Sequence, residues 1–245
     1  MLYRKRVLSA VKAHRIVRAS VVAILMWAGQ TNQSVASFIT VGTNDGGSNV
    51  FPYGSPQGGS NAVYQGDYQQ LYSSSAFSGP VVINNIGFAS TTPGGIQESE
   101  TLTISLSTTS YGLNDLTANY NTNLGADNTQ VYSGTKLFTG VENGSFDLSF
   151  ATNSFTYNPA NGNLLMTVDV TGSSGTTVQA FEATDDAVTS RVYNFGGSGA
   201  VTPEADYGLV TQFTVSPSVP EPASIACLII PIAGGLLIRR RRQIV

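Results

Sequence analysis

The chain has 245 residues, of which 12 are basic and 15 are acidic. Six basic residues lie in the first 18 positions and four lie at 239–242, so residues 37–218 keep 14 acidic and two basic residues, or 14 − 2 = 12 net negative charges. This excess argues against binding nucleic acid, whose phosphates require Lys and Arg. His14 and Cys227 are the only residues of their types, and their absence from 37–218 excludes histidine-based triads, cysteine–histidine pairs, histidine-ligated zinc and disulfides there.

The first 36 residues have the features of a secretory signal peptide. Six basic residues precede an apolar run from Ala19 to Ala28, and the small residues Ser34 and Ala36 follow. This order is typical of a signal that forms a helix and is then removed, and we expect cleavage after Ala36. Because no twin arginine is present, the general secretion route is expected. The alternative is an uncleaved N-terminal anchor, and in either case residues 1–36 are not part of the fold.

Residues 37–218 are enough for one domain with a substantial core. Apolar residues alternate with Ser and Thr in several short runs, such as Leu102–Leu106 and Leu164–Val170, and this period of two is typical of strands with one buried face. The pattern predicts an all-β fold, a two-sheet antiparallel sandwich resembling a jelly roll. The predicted strands are 38–41, 68–72, 81–89, 102–106, 130–133, 146–150, 154–157, 164–170, 178–184, 191–195 and 209–215.

Three connections are also predicted from composition. Residues 44–61 are rich in Gly, Ser and Pro and are expected to form a long surface loop. A short helix is expected near 114–122. Asn143-Gly144-Ser145 matches a glycosylation sequon, but we interpret it as a β-hairpin turn, because Asn-Gly is the strongest short signal for one.

Tyrosines cluster in the first third of the domain. If exposed at the rim of a sandwich, their rings could stack on sugars. Tyrosine is also a favoured strand residue, and partial burial with a wet hydroxyl is its more common role. The candidate glycan-binding residues are Tyr53, Tyr64, Tyr68 and Tyr72.

Acidic residues offer oxygen ligands for calcium, but in no case at the spacing of an EF-hand loop. Solvated acidic loops are therefore the more common interpretation, and no other cofactor is predicted. The candidates are Asp185 and Asp186 with nearby Glu182, the loop around Asp45, and Asp127 with Asn128.

Glu98 and Glu100 are two residues apart and would share one face of a strand. A glycosidase needs two carboxylates that flank a cleft, so ordinary solvated charge is the expected role of this pair. Of the two remaining cations, Lys136 and Arg191, the second is the better candidate for a partly buried ion pair that holds a loop.

The last 27 residues, 219–245, form a distinct tail. Pro220, Glu221 and Pro222 precede an apolar run of 16 residues from Ala223 to Ile238, which as a helix would span about 24 Å. Spanning a hydrocarbon core of about 30 Å is therefore marginal. The run ends in a basic cluster that would hold that end in the cytoplasm. That cluster is Arg239, Arg240, Arg241 and Arg242. The alternative is a buried C-terminal helix of a soluble protein.

The Pro-Glu-Pro motif, the short apolar span and the terminal arginines together resemble the PEP-CTERM sorting signal of Gram-negative bacteria. The resemblance covers only residues 219–242. It implies export across the inner membrane, transient or lasting anchoring by the tail, and recognition of Pro220-Glu221-Pro222 by an exosortase, an integral membrane processing enzyme. It further implies a place at the cell surface or in the extracellular matrix, where this family is associated with exopolysaccharide and biofilm. The two prolines agree with this, since they keep the motif extended and accessible.

We therefore expect an exported surface or matrix protein with a non-enzymatic structural or interaction role and surface polysaccharide as its partner. Two alternatives belong to other classes. One is a carbohydrate-binding module that uses the clustered tyrosines. The other is a polysaccharide-active enzyme that works through carboxylates.

Overall fold

A computed structural model describes residues 36–53, 66–91, 98–138, 145–174, 180–195 and 203–218. All of these belong to one compact unit that starts at Ala36. The predicted signal peptide before Ala36 and the predicted sorting tail after Ser218 lie outside the described residues. The strands are β1 (Ser37–Val41), β2 (Gly47–Asn49), β3 (Gly66–Tyr72), β4 (Val81–Phe88), β5 (Glu98–Thr109), β6 (Thr129–Phe138), β7 (Leu148–Tyr157), β8 (Asn163–Ser174), β9 (Phe181–Thr184), β10 (Thr189–Phe195), β11 (Glu204–Ala205), β12 (Gly208–Leu209) and β13 (Thr211–Pro217).

Helix is scarce in the described ranges. It consists of one turn, α1 (Tyr120–Asn123), and two 3₁₀ turns at Ser74–Ala76 and Pro159–Asn161. Within the same ranges, no helix has the length and apolar character needed to cross a membrane.

The strands form three antiparallel sheets. A four-stranded sheet has the order β1-β13-β4-β7, and a six-stranded sheet has the order β11-β10-β3-β8-β5-β6. A small third sheet has the order β12-β9-β2. The expectation of an all-β, sandwich-like antiparallel fold is confirmed.

The pairings in the two larger sheets are nested. β5 pairs with β6, β4 with β7, β3 with β8, and β1 with β13, so each pair encloses the previous one in sequence although the pairs alternate between sheets. The last strand, β13, therefore lies between β1 and β4 rather than at an edge. The chain from β9 to β12 is an excursion inserted before this closing strand.

The main core lies between the two larger sheets and is apolar from both sides. Ile86 and Phe213 come from the four-stranded sheet, and Met166 and Val168 come from the six-stranded sheet. The alternating residues predicted at 102–106 and 164–170 are buried as expected, which accounts for the strong period of two there. A smaller cluster of Leu71, Leu116, Leu165 and Val192 packs on the outer face of the six-stranded sheet.

Three local expectations need correction. The predicted loop 44–61 contains β2, and Tyr53 within it is buried. The separate strands predicted at 146–150 and 154–157 are the single strand β7, and the helix expected at 114–122 is only α1. Asn143-Gly144, predicted as a hairpin turn, lies outside the described residues.

One turn depends on glycine. Gly162, after the 3₁₀ turn that links β7 to β8, has φ 141°. A Cβ at this position would lie 2.3 Å from the carbonyl oxygen of Thr109. Only glycine accepts both that conformation and so close an approach of two backbones.

Candidate functional site

The two ends of the described domain lie side by side. β1 and β13 are antiparallel neighbours, and Ser37 is opposite Val215. The Ser218 hydroxyl donates a hydrogen bond to the Pro80 carbonyl oxygen at 3.3 Å, so the chain is held to the sandwich up to this residue. The predicted motif begins two positions later, and its residues, like Arg239–Arg242, lie outside the described residues. The predicted cleavage site Ala36 directly precedes β1.

The clustered tyrosines do not form an exposed rim. Tyr53, Tyr68 and Tyr72 are each 0% exposed, and Tyr64 lies outside the described residues. The Tyr53 ring packs among Phe88, Phe150 and other aromatic rings at centroid distances of 4.9–6.2 Å. No ring face of these three side chains is available to a sugar in solvent, because the rings fill the core between the sheets.

Two of the buried tyrosines keep partners for their hydroxyl groups. The Tyr68 hydroxyl donates to Gln70 Oε1 at 2.5 Å, and the Tyr72 hydroxyl lies 2.9 Å from Thr211 Oγ1. Burial raises the pKa of all three tyrosines, including Tyr53, so they stay neutral at any physiological pH. Their role in the fold is structural.

A cluster around Arg191 on β10 is the most elaborate polar arrangement among the described residues. Its guanidinium contacts two rings, with Cζ 4.8 Å from the Tyr193 centroid and 4.2 Å from the Tyr207 centroid. Arg191 Nε and Nη2 both lie 2.6 Å from Glu204 Oε2 on β11. Phe51 stacks on Tyr193 at 5.0 Å with an interplanar angle of 24°. We call these five residues the Arg191 ladder.

The Arg191 ladder links β11 and Tyr207, which lie between β10 and β13 in the sequence, to β10 of the six-stranded sheet. Arg191 is 4% exposed, and the Glu204 side chain is 39% exposed. Nearby, the Gln70 side chain bonds to the backbone of Leu209 through both its amide nitrogen and its oxygen, each at 2.8 Å. The expectation of a partly buried ion pair at Arg191 is confirmed. The two tyrosines were not anticipated, although Tyr193 follows two positions later on the same strand face.

The acidic candidates are only partly brought together. The carboxyl groups of Asp45 and Asp185 lie within hydrogen-bonding reach across the turns that flank β2 and β9. The hydrogen bond from the Gly47 amide, followed by that with Asp185, lowers the pKa of Asp45. The hydrogen bond with Asp45 and the repulsion of its charge raise the pKa of Asp185. The two groups thus favour sharing one proton, as closely spaced carboxyls do.

The other proposed calcium ligands differ in their surroundings. Glu182 is 7% exposed, whereas Asp185 is exposed and has the charge of Asp186 nearby. Asp127 instead accepts a hydrogen bond from the Thr108 amide at 2.7 Å, which holds the turn after α1. Within the described part of the chain, no three acidic side chains converge in a way that could hold a metal ion.

Glu100 is buried, at 1% exposed, which corrects the expectation of a solvated charge. It is opposite Lys136 in the pairing of β5 with β6. The Lys136 ammonium donates to the Ser149 carbonyl oxygen at 2.6 Å and so links β6 to β7, across the open side of the sandwich. The Glu98 side chain lies outside the described ones, so the predicted pair is not seen together.

Comparisons of the sequence with known protein families and with curated proteins gave no match.

Proposed function

We propose that this protein is exported and sorted to the cell surface or extracellular matrix by its C-terminal tail, where it has a non-enzymatic structural or interaction role. The observation that supports this proposal is the position of the fold within the chain. Every described strand lies between Ser37 and Pro217, inside the two predicted processing points. Removal of the signal, of the tail or of both would therefore leave the described sandwich complete.

The proposed sorting apparatus consists of segments with separate roles. Pro220-Glu221-Pro222 is recognised by an exosortase-type membrane enzyme, and the apolar run holds the protein at the inner membrane until processing. The arginines at 239–242 keep the far end in the cytoplasm. The non-enzymatic role is supported by the composition of 37–218, which has neither His nor Cys.

We further infer that eight strands of the sandwich form a jelly roll. The support is the nested pairing of β1–β13, β3–β8, β4–β7 and β5–β6, distributed over two sheets. This arrangement is that of one long hairpin folded over on itself, which is how two Greek keys combine in a jelly roll. β9–β12 are then additions to that scaffold.

The glycan-binding alternative was based on four tyrosines, and the three that lie in the described part of the chain are buried. With Tyr53, Tyr68 and Tyr72 in the core, no described member of that cluster can stack on a sugar. The rings of the Arg191 ladder are largely occupied with each other and with the guanidinium. We therefore retain the interaction role without assigning a sugar contact.

The experiment replaces Pro220-Glu221-Pro222 by three alanines and follows the tail in cells with and without the exosortase. We expect the wild-type tail to be removed only in the presence of the enzyme and the variant to keep its tail in both. Pro217→Ala is the matched control, because Pro217 lies just before the motif and takes no part in it. Equal processing of the triple-alanine variant and wild type would refute the proposal.

A further inference from the structure

One end of the four-stranded sheet differs from the rest of the domain in charge. The first residues of β1 and β4 and the last residues of β7 and β13 meet at this end, as their registers show. No charged residue occurs in the segments that form it, 37–40, 78–82, 155–161 and 216–218. We call this the neutral end. By contrast, Asp45 follows the opposite end of β1, and Asp147 precedes the opposite end of β7.

The neutral end also carries the most exposed large apolar side chain among the described residues. Phe38 on β1 is 66% exposed, and it is opposite Thr214 of β13. The other large apolar side chain with high exposure, Leu137, is 55% exposed and lies elsewhere. Its neighbour Lys136 bonds to Ser149, which pairs with Gly87 at the far end of β4. The length of β4 places that end about 23 Å from the neutral end.

The connection from the neutral end to the predicted membrane segment is short. Only residues 218–222 separate β13 from the apolar run at Ala223. Five residues reach at most about 17 Å when fully extended. A tail inserted in a bilayer would therefore hold the neutral end close to the membrane surface.

We propose that the neutral end rests on the lipid surface of the membrane that holds the tail, with Phe38 inserted in the headgroup region. The proposal rests on the membrane-anchored tail of the proposed function. Two physical reasons favour the bilayer as the occupant. The acidic remainder of the domain is repelled by anionic lipids, whereas the neutral end is not. An exposed phenyl ring is also one of the groups that stabilise proteins at the bilayer interface.

The test uses residues 37–245, the form expected after removal of the signal peptide, reconstituted in vesicles of phosphatidylcholine and phosphatidylglycerol, with Cys227→Ser as background. Phe38→Cys and the matched control Leu137→Cys each carry a fluorophore, and brominated lipids quench labels that reach the interface. We expect quenching of the label at position 38 and little at 137. In a second pair, twenty Gly and Ser residues inserted between Ser218 and Val219 should reduce the quenching at position 38 towards that at 137.

Flotation of the vesicles distinguishes failure of this inference from failure of the anchoring in the proposed function. A chain that does not float with the vesicles lacks a membrane-inserted tail, which would overturn both this inference and the anchoring in the proposed function. A chain that floats but shows equal quenching at 38 and 137 would overturn the inference alone. Quenching at 38 that is insensitive to the spacer would also overturn it, because the short connection would then not determine the orientation.

Discussion

Arg191→Ala tests whether the Arg191 ladder stabilises the fold. The substitution removes an ion pair with a 39% exposed partner and two ring contacts at 4.8 and 4.2 Å. Two partly buried cation–π contacts at about 0.5–2 kcal/mol each, with about 1 kcal/mol for a half-screened ion pair, predict a loss of about 2–5 kcal/mol. For a domain of this size that corresponds to a fall in Tm of roughly 4–20 °C. Urea and thermal unfolding, followed by circular dichroism, measure both quantities.

Three companion variants test the reasoning behind that estimate. Arg191→Lys keeps the charge but loses the planar group, so we expect it to recover less than half of the loss. Glu204→Gln should cost only about 1 kcal/mol, because the carboxylate is partly exposed. Lys136→Met removes a cation with one hydrogen bond and one ring contact at 5.7 Å, so it should cost less than Arg191→Ala. A loss below about 0.5 kcal/mol for Arg191→Ala would place it among ordinary surface substitutions and refute the assigned role.

Two further predictions concern the turns. The pKa of Asp185 is raised in the folded state. The stability that its protonated form contributes is therefore fully present below the unfolded pKa of about 4 and is lost as the pH rises through the folded pKa. Asp45, whose pKa is lowered, has the opposite dependence on pH. Asp185→Asn should therefore be more stable than wild type at pH 7, with the difference shrinking on acidification, and a difference that grows towards pH 3 would contradict this. Gly162→Ala should cost more than about 1 kcal/mol in urea unfolding because of its φ and its contact with Thr109, and an unchanged midpoint would be the contrary result.

β5 was predictable because the burial of its central residues is one-sided. Leu102, Ile104 and Leu106 point to the core, and polar residues alternate with them. β7 was divided in the prediction because Ala151–Asn153 interrupt the apolar alternation. As an edge strand, β7 tolerates those polar residues and remains continuous, with a register shift in its pairing to β4.

The burial of the tyrosines was harder to predict, because the strand that carries two of them does not alternate. All of Tyr68–Tyr72 is buried, since β3 is covered on both faces. Gln69 and Gln70 are accommodated by hydrogen bonds to Tyr120 and Leu209, contacts that no local pattern reveals. Because Gln69 and Gln70 are polar, the sequence of β3 did not indicate that this strand is buried within the sheet.

Long-range contacts between polar groups could not be predicted from a single sequence. Asp45 and Asp185 are separated by 140 positions, and only the pairing of β2 with β9 brings them together. The partner of Arg191 is 13 residues away, but the identity of that partner depends on the register of β10 and β11. The predicted sorting residues lie outside the described part of the chain, so their assignment rests on the sequence alone.

The position of β13 has a consequence for the order in which the molecule can assemble. A polypeptide emerging N-terminus first from a ribosome or a translocation channel exposes β1 at the outset, but the strand beside which β1 lies is the last to appear. Until residue 217 has emerged, the four-stranded sheet has a gap between β1 and β4, so its core cannot close. The topology thereby delays completion of the native state until the last strand of the domain has emerged.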